Sequence, residues 1–406
     1  MSKAPSRRRP KDRKAQIARA SAEAFSELGY HGVRMEDIAA RVGISAAALY
    51  RHYSGKYELF CEAVLSLGQQ LVDATGIAED SGDPQGDLDR LVAALIDTAL
   101  ANREAGGLYR WEVRYLYGEA QQILDTQVRT VHQRIHRPLR LLRPELSSRQ
   151  CWTISTALLS VLGSIVDHRA TLAAARIRVV LAEAAAALLS ADVPELSTDA
   201  APPTPPEPLP ISKYEALLDE SMRQFNEKGY RDTTVEDIAS AVGLPASGMY
   251  RYFASKSDIL AAGFRRAADR LSADMAATIA AEPEPVHALT SLVEVYVARS
   301  FDSPELDYVY YTERLNMADA DRHILRGMQH DVVQTWADLL VATRDELATA
   351  AAVFVVHAAM SLVVDLGRLL SYRNTTEARR CVCALVELTL LGQDRLRTAL
   401  PARYAT

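Results

Sequence analysis

The chain repeats itself at an offset of 200 residues: positions 25–60 and 225–260 align without a gap, with 14 identical residues among 36. The first copy runs from Gly29-Tyr30 through Glu36-Asp37-Ile38-Ala39 and Val42-Gly43 to Tyr50-Arg51 and Lys56. The second has Gly229-Tyr230, Glu236-Asp237-Ile238-Ala239, Val242-Gly243, Tyr250-Arg251 and Lys256. A solenoid would repeat every few tens of residues, so two copies a domain's length apart imply a duplicated protein. A chain of 406 residues suits two halves, each with its own core.

Within a copy the apolar spacing is helical. Ile38, Ala39 and Val42 face inward, and Gly43 falls where a tight turn between helices favours a left-handed backbone. Ala39 is small where a second helix crosses above it. Ile44 and Leu49 bury the inner side of that helix, leaving 45–48 and 51–52 to point outward. Such a pair is a helix-turn-helix, whose second helix fits the DNA major groove. An ordinary helical hairpin is the alternative for one copy. The shared Gly-Tyr start and Tyr-Arg…Lys end in both copies argue against it.

Phe25-x3-Gly29-Tyr30, Asp37-Ile38-Ala39, Val42-Gly43, Leu49-Tyr50-x2-Tyr53 and Lys56-x2-Leu59 resemble the DNA-binding domain of the TetR (tetracycline repressor) family. Phe225-x3-Gly229-Tyr230, Asp237-Ile238-Ala239, Val242-Gly243, Met249-Tyr250-x2-Phe253 and Lys256-x2-Ile259 resemble it again. The resemblance implies an all-α fold of two tandem TetR-like units, each a helix-turn-helix domain followed by a helical regulatory and dimerisation domain. Usual members pair as homodimers, so this chain resembles a dimer written as one polypeptide, with further dimerisation left open. The expected division is a basic arm 1–14, DNA-binding domain 15–75, regulatory domain 76–189, Pro-rich linker 190–212, DNA-binding domain 213–275 and regulatory domain 276–406.

The resemblance also places the DNA contacts. Ser45, Ala46, Ala47, Arg51 and His52 would read bases in copy one, and Ala246, Ser247, Arg251 and Tyr252 in copy two. Tyr50, Lys56, Tyr250 and Lys256 would meet phosphates, which position a protein without specifying sequence. Arg34 and Thr234 open the second helix of each copy. Thr234 begins a capping box, whereas Arg34 lacks a hydroxyl and is free to reach a phosphate. Arginine pairs bidentately with guanine. Ala46 and Ala246 stand where many family members carry Lys or Arg, which points to methyl contacts or shape readout.

Net charge is −6, which excludes a general coat for nucleic acid, but the two copies differ locally. Residues 1–60 hold 12 Lys/Arg and 6 Asp/Glu, and residues 201–260 hold 6 and 9. Copy one is led by the basic arm (Lys3, Arg7, Arg8, Arg9, Lys11, Arg13, Lys14), a phosphate-tracking segment expected to be disordered when free. Copy two opens with Glu215, Asp219 and Glu220, so weaker or lost DNA contact is expected there.

Helix one of copy one carries Ile17, Ala20, Ala24, Phe25 and Leu28 on one face and ends at Gly29. The second and third helices are expected near 34–41 and 45–52, then a fourth from Gly55 past Leu71. From Leu88 to Leu189 the pattern is helical, broken at Gly106-Gly107, Pro138 and Pro144 into about five helices. Seven prolines within 190–212 read as a polyproline-type spacer reaching about 70 Å when extended.

The segments 151–189 and 347–391 are apolar enough to form a helical pairing surface. Residues 350–364 are apolar nearly all round, but His357 and Asp365 favour a buried helix over a membrane span. Aromatic and charged groups gather at Trp111, Arg114 and Tyr115 and again at Tyr310, Tyr311 and Arg314, with the two arginines matching at the 200 offset. Such a cluster suits an amphipathic effector such as an acyl chain with an anionic head, and equally a structural Glu–Arg pair.

Four scattered cysteines give no disulfide framework and fit a reducing cytoplasm. No metal site or cofactor is expected, and no nucleophile elbow, P-loop or zinc-protease motif supports an enzyme. The leading expectation is a ligand-responsive repressor that binds a double-stranded operator. The competing one is an interaction protein in which one or both helix-turn-helix units no longer bind DNA.

Overall fold

In the computed structural model, residues 10–77, 82–196 and 212–399 are described, and every regular element among them is helical. Residues 1–9 of the expected arm and 197–211 of the expected linker lie outside the described residues. The chain forms two compact units, residues 1–144 with 165–169, and 145–164 with 170–406.

Unit 1 contains α1 (Pro10–Gly32), α2 (Met35–Val42), α3 (Ala46–Leu49), α4 (Lys56–Thr75), α5 (Pro84–Ala101), α6 (Gly106–Trp111) and α7 (Glu119–Leu142). Because α1 begins at Pro10, positions 10–14 of the expected arm are its first turns. Gly29 interrupts it at φ 72°, ψ 159°, so the helix proper ends where the sequence placed its end. Leu28 stays 39% exposed, outside the core face assigned to it. Pro138 does not break the chain: it lies buried inside α7. Its packing keeps the helix together where the ring removes one backbone donor.

Phe25, Ile38, Leu49, Leu59 and Phe60 form one continuous core with Leu108, Leu116 and Leu124. Burying each such side chain contributes about 1.5–3 kcal/mol. The helix-turn-helix is thus packed on the helical body with a shared interior, so a shift in one is felt in the other.

Unit 2 holds α8 (Ser148–Gly163), α9 (Ala174–Leu189), α10 (Lys213–Lys228), α11 (Val235–Ala241), α12 (Ala246–Met249) and α13 (Lys256–Ala281). It continues with α14 (Pro285–Asp302), α15 (Pro304–Glu313), α16 (Asp319–Thr343), α17 (Thr349–Leu369), α18 (Thr376–Leu391) and α19 (Gln393–Ala399). Here Leu218, Phe225, Ile238, Met249 and Ile259 share a core with Val309, Met317 and Leu325, the same plan as unit 1.

The pairing surface expected from 151–189 and 347–391 is present. Helices α8 and α9 pack against α17 and α18 inside unit 2. Helix α17 is long and apolar enough to cross a membrane, but it is largely buried in this packing. At the edge of this packing, Arg344 pairs with Glu183 at 3.5 Å and the Ser190 hydroxyl donates to Gln393 at 3.2 Å.

Candidate nucleic-acid interface

Each helix-turn-helix is closed by the same backbone turn. Gly43 sits at φ 69°, ψ 40°, and the Ile44 N–H reaches back to the Ala39 carbonyl at 3.0 Å. Gly243 also has φ 69°, with Leu244 N–H on Ala239 O at 2.9 Å. A side chain there would force an L-residue into the left-handed region.

The second helices start differently. Thr234 Oγ1 accepts the Asp237 N–H at 3.1 Å and Asp237 accepts the Thr234 N–H at 3.3 Å, a complete capping box. The hydrogen bonds from Thr234 hold the Asp237 carboxyl below its usual range. In copy one only the second half survives: the Arg34 N–H donates to Asp37 at 2.9 Å. The Arg34 side chain has no acceptor atom to offer and is exposed.

The reading helices are short. α3 and α12 span four residues each, and hydrogen-bonded turns then carry the chain on, with Tyr53 N–H on Leu49 O and Phe253 N–H on Met249 O, each at 3.1 Å. Ser45 caps α3 by accepting the Ala48 N–H at 3.1 Å, while Pro245 caps α12 without a side-chain bond. Ser45, Ala47, Arg51 and His52 are exposed, as are Ser247, Arg251 and Tyr252. Tyr50 and Tyr250 are 52% and 59% exposed. Ala46 and Ala246 are half-buried, and Ala46 packs on the core, so the outward set is narrower than the sequence implied.

Lys56 and Lys256 are turned inward. Lys56 Nζ donates to Val33 O at 3.3 Å and lies 4.7 Å from the Tyr30 ring centroid. Lys256 Nζ donates to the carbonyls of Tyr230, Arg231 and Thr233 at 2.6, 3.3 and 2.8 Å, 4.4 Å from the Tyr230 ring. Burial pushes its pKa down. The repeated Gly-Tyr and Lys are therefore two ends of one cation–π contact, a pairing that sequence reasoning missed.

Other supports escaped it too. Arg13 and Lys213, 200 positions apart, cap the ends of α2 and α11 through Val42 O at 3.3 Å and Val242 O at 2.6 Å. A cation at a helix C-terminus is favourable. The acidic opening of copy two is also spoken for. Glu215 pairs with Arg266 at 2.6 Å and Arg270 at 2.9 Å, Asp219 with Arg266 at 2.6 Å, and Glu220 with Arg223. With Glu227 on Arg223 and Asp237 near Lys228, five of the nine acids counted between 201 and 260 have basic partners among the described residues, and two of those partners, Arg266 and Arg270, lie beyond that window.

The two aromatic clusters part ways. Trp111 is buried and donates to Asp167 at 2.7 Å, and Arg110 pairs with the same carboxylate at 3.2 Å. Tyr115 stacks on Tyr30 at 5.2 Å, and Arg114 donates to the Tyr115 hydroxyl at 2.9 Å. Tyr115 therefore lies on the seam between the helix-turn-helix and the body, while the Trp111 and Arg110 contacts to Asp167 lie within the body. In unit 2, Tyr310 and Tyr311 line a cavity of about 520 Å³ with Phe264, Tyr296, Met328 and Met360; Arg314 is not among its lining residues. Nor are Arg114 and Arg314 equivalent. The helical turns 113–115 and 314–316 correspond at an offset of 201.

A family model described as bacterial regulatory proteins of the TetR family matches residues 17–63 and, separately, residues 217–262. The chain carries the TetR-family domain twice. One TetR relative, the HTH-type transcriptional activator FasR of Mycolicibacterium smegmatis, is 44% identical over 54 residues, 13% of this chain and 25% of that protein. The match therefore spans about a quarter of that relative's length. Among solved TetR-type structures, the ketosteroid transcriptional regulator KstR2 of Mycobacterium tuberculosis is 20% identical, covering 44% of this chain and 93% of that one, with a TM-score of 0.40. PfmR of Thermus thermophilus is 23% identical, covering 43% and 96%, with a TM-score of 0.38.

Proposed function

We propose that the chain is a ligand-responsive, DNA-binding transcriptional regulator in which one polypeptide supplies both reading heads. The observation that carries this is the matched pair Tyr50-Arg51 and Tyr250-Arg251. Each pair ends a complete helix-turn-helix, stands in solvent, and has no side-chain hydrogen bond or ion pair within the described residues. Exposed aromatic and guanidinium groups at a helix end suit phosphate and guanine contacts. Arg34, Ser45, Ala47 and His52 extend this surface in copy one, as do Thr234, Ser247 and Tyr252 in copy two. Lys56 and Lys256 support the fold of each head rather than meet phosphate.

The effector is an amphipathic molecule held between α13, α14, α15 and α16, where aromatic and thioether side chains surround the cavity near Tyr310 and Tyr311. Helix α13 both lines this space and follows directly on the reading turn, so occupancy biases the reading head.

Selection from a random pool of duplex DNA tests the DNA reading. Recovery of a discrete sequence, with affinity falling steeply between about 0.05 and 0.2 M salt, is the expected result. Failure of the pool to yield any bound sequence overturns it.

A further inference from the structure

The cavity in unit 2 is lined by Arg266, Arg270, Asp274, Arg299 and Asp302 besides its apolar wall. Asp274 and Arg299 pair with each other, and Asp302 accepts from Asn374. Arg266 and Arg270 differ: their carboxylates lie on α10, the first helix of the reading head. Glu215 Oε2 takes both guanidinium groups, at 2.6 Å from Arg266 and 2.9 Å from Arg270, and Asp219 takes the other nitrogen of Arg266 at 2.6 Å.

We infer that Arg270 and Arg266 recognise the anionic group of a carboxylate amphiphile, and that the ligand does so by competing with Glu215 and Asp219. The inference rests on reading the cavity as the effector site. Its wall of Phe264, Leu271, Tyr296, Tyr310, Met328 and Met360 takes the apolar chain. Arg270 has a side chain 52% exposed and one ion pair among the described residues, so it swings to the ligand first. Arg266, at 12%, is held by two.

The consequence runs along one connected path. Glu215 is in the first turn of α10, beside Lys213, whose ammonium caps α11 at Val242 O. Val242 immediately precedes the reading turn at Gly243. In the same first turn Tyr214 stacks on Phe253 at 5.2 Å. Drawing the arginines toward a ligand leaves Glu215 and Asp219 without counter-charge and loosens the turn that positions α11 and α12. At the 200 offset the first half has Ala15, Arg19, Ser66 and Gln70 in these places, so the relay belongs to the second half alone.

Calorimetric titration of the full chain with decanoate and with 1-decanol tests the relay without DNA. Wild type binds decanoate the more tightly, and Arg270→Gln brings the two ligands together. Glu215→Gln tightens decanoate binding by about threefold or more, the scale of one partly exposed ion pair, and leaves 1-decanol unchanged. Asp219→Asn shifts decanoate in the same direction by less, which guards against a fold defect in one variant. Equal affinity for the two ligands, parallel shifts in both, or binding of neither overturns the inference. Loss of DNA binding by wild type sinks the regulator reading but leaves the calorimetric result to stand by itself.

Discussion

The buried carboxylate of Glu313 accepts the backbone N–H of Tyr230 at 3.3 Å, and that of Glu112 accepts the N–H of Tyr30 at 3.2 Å. Each bond ties the end of a body helix to the end of the first helix of a reading head. Glu313 also accepts from the Asn316 amide at 2.7 Å. Replacing Glu313 by Ala strands the Tyr230 donor, at a cost of about 1–3 kcal/mol. Glu313→Gln keeps an acceptor and is expected to lose less. Thermal unfolding of the two variants, with amide exchange at Tyr230, checks both the size and the ranking.

Lys56 and Lys256 are placed as structural ties. Lys256→Met is expected to lower the midpoint of thermal unfolding, because three carbonyls lose their donor. It should leave the salt slope of DNA binding nearly unchanged, whereas Arg251→Ala should weaken binding by about 1–3 kcal/mol at a guanine contact. Binding titrations across a salt series separate the two behaviours.

Gly43 and Gly243 both have φ 69°, and a Cβ at either would meet nothing within 4 Å. The cost of Gly43→Ala is therefore backbone strain without a clash, about 1–2 kcal/mol. Denaturant unfolding should show it, and Gly243→Ala should match it closely because the geometry is the same.

His132 is buried in α7, and burial, with His136 6.1 Å away, pushes its pKa down to about 4 from 6.5. The unfolded chain binds this proton more readily than the folded one, so stability is full above about pH 6.5 and falls as pH drops toward 4. The loss is on the order of 3 kcal/mol. Unfolding free energies over that pH range should show the slope, and His132→Gln should flatten it.

Much of the fold is legible because the governing rules are local. The 3.6 period at Ile38, Ala39 and Val42 and the turn at Gly43 specify each reading head within 20 residues. The apolar runs of 151–189 and 347–391 declare their burial. What sequence hides is long-range pairing. The acids of α10 look like a charge barrier to DNA until Arg266 and Arg270, 51 and 55 positions on from Glu215, are seen to face them. The match of Arg114 with Arg314 fails for a similar reason. Helices α4 and α13 start 200 positions apart, but α5 and α14 already start and end 201 apart, so the register slips by one ahead of both clusters and the glutamates, not the arginines, correspond. The cavity is a property of packing that the Tyr310-Tyr311 pair marks without outlining.

In the proposed mode of binding, one chain reads DNA with two unlike heads. Footprinting the protein on its selected duplex, with the mass of the bound complex measured alongside, tests it most directly. The expected result is one chain per site, protecting two half-sites of different sequence spaced by about 34–36 Å or a multiple of it. Arg51→Ala should erase one half-site and Arg251→Ala the other. A symmetric palindrome protected only at twice the chain's mass, indifferent to Arg251→Ala, would contradict it.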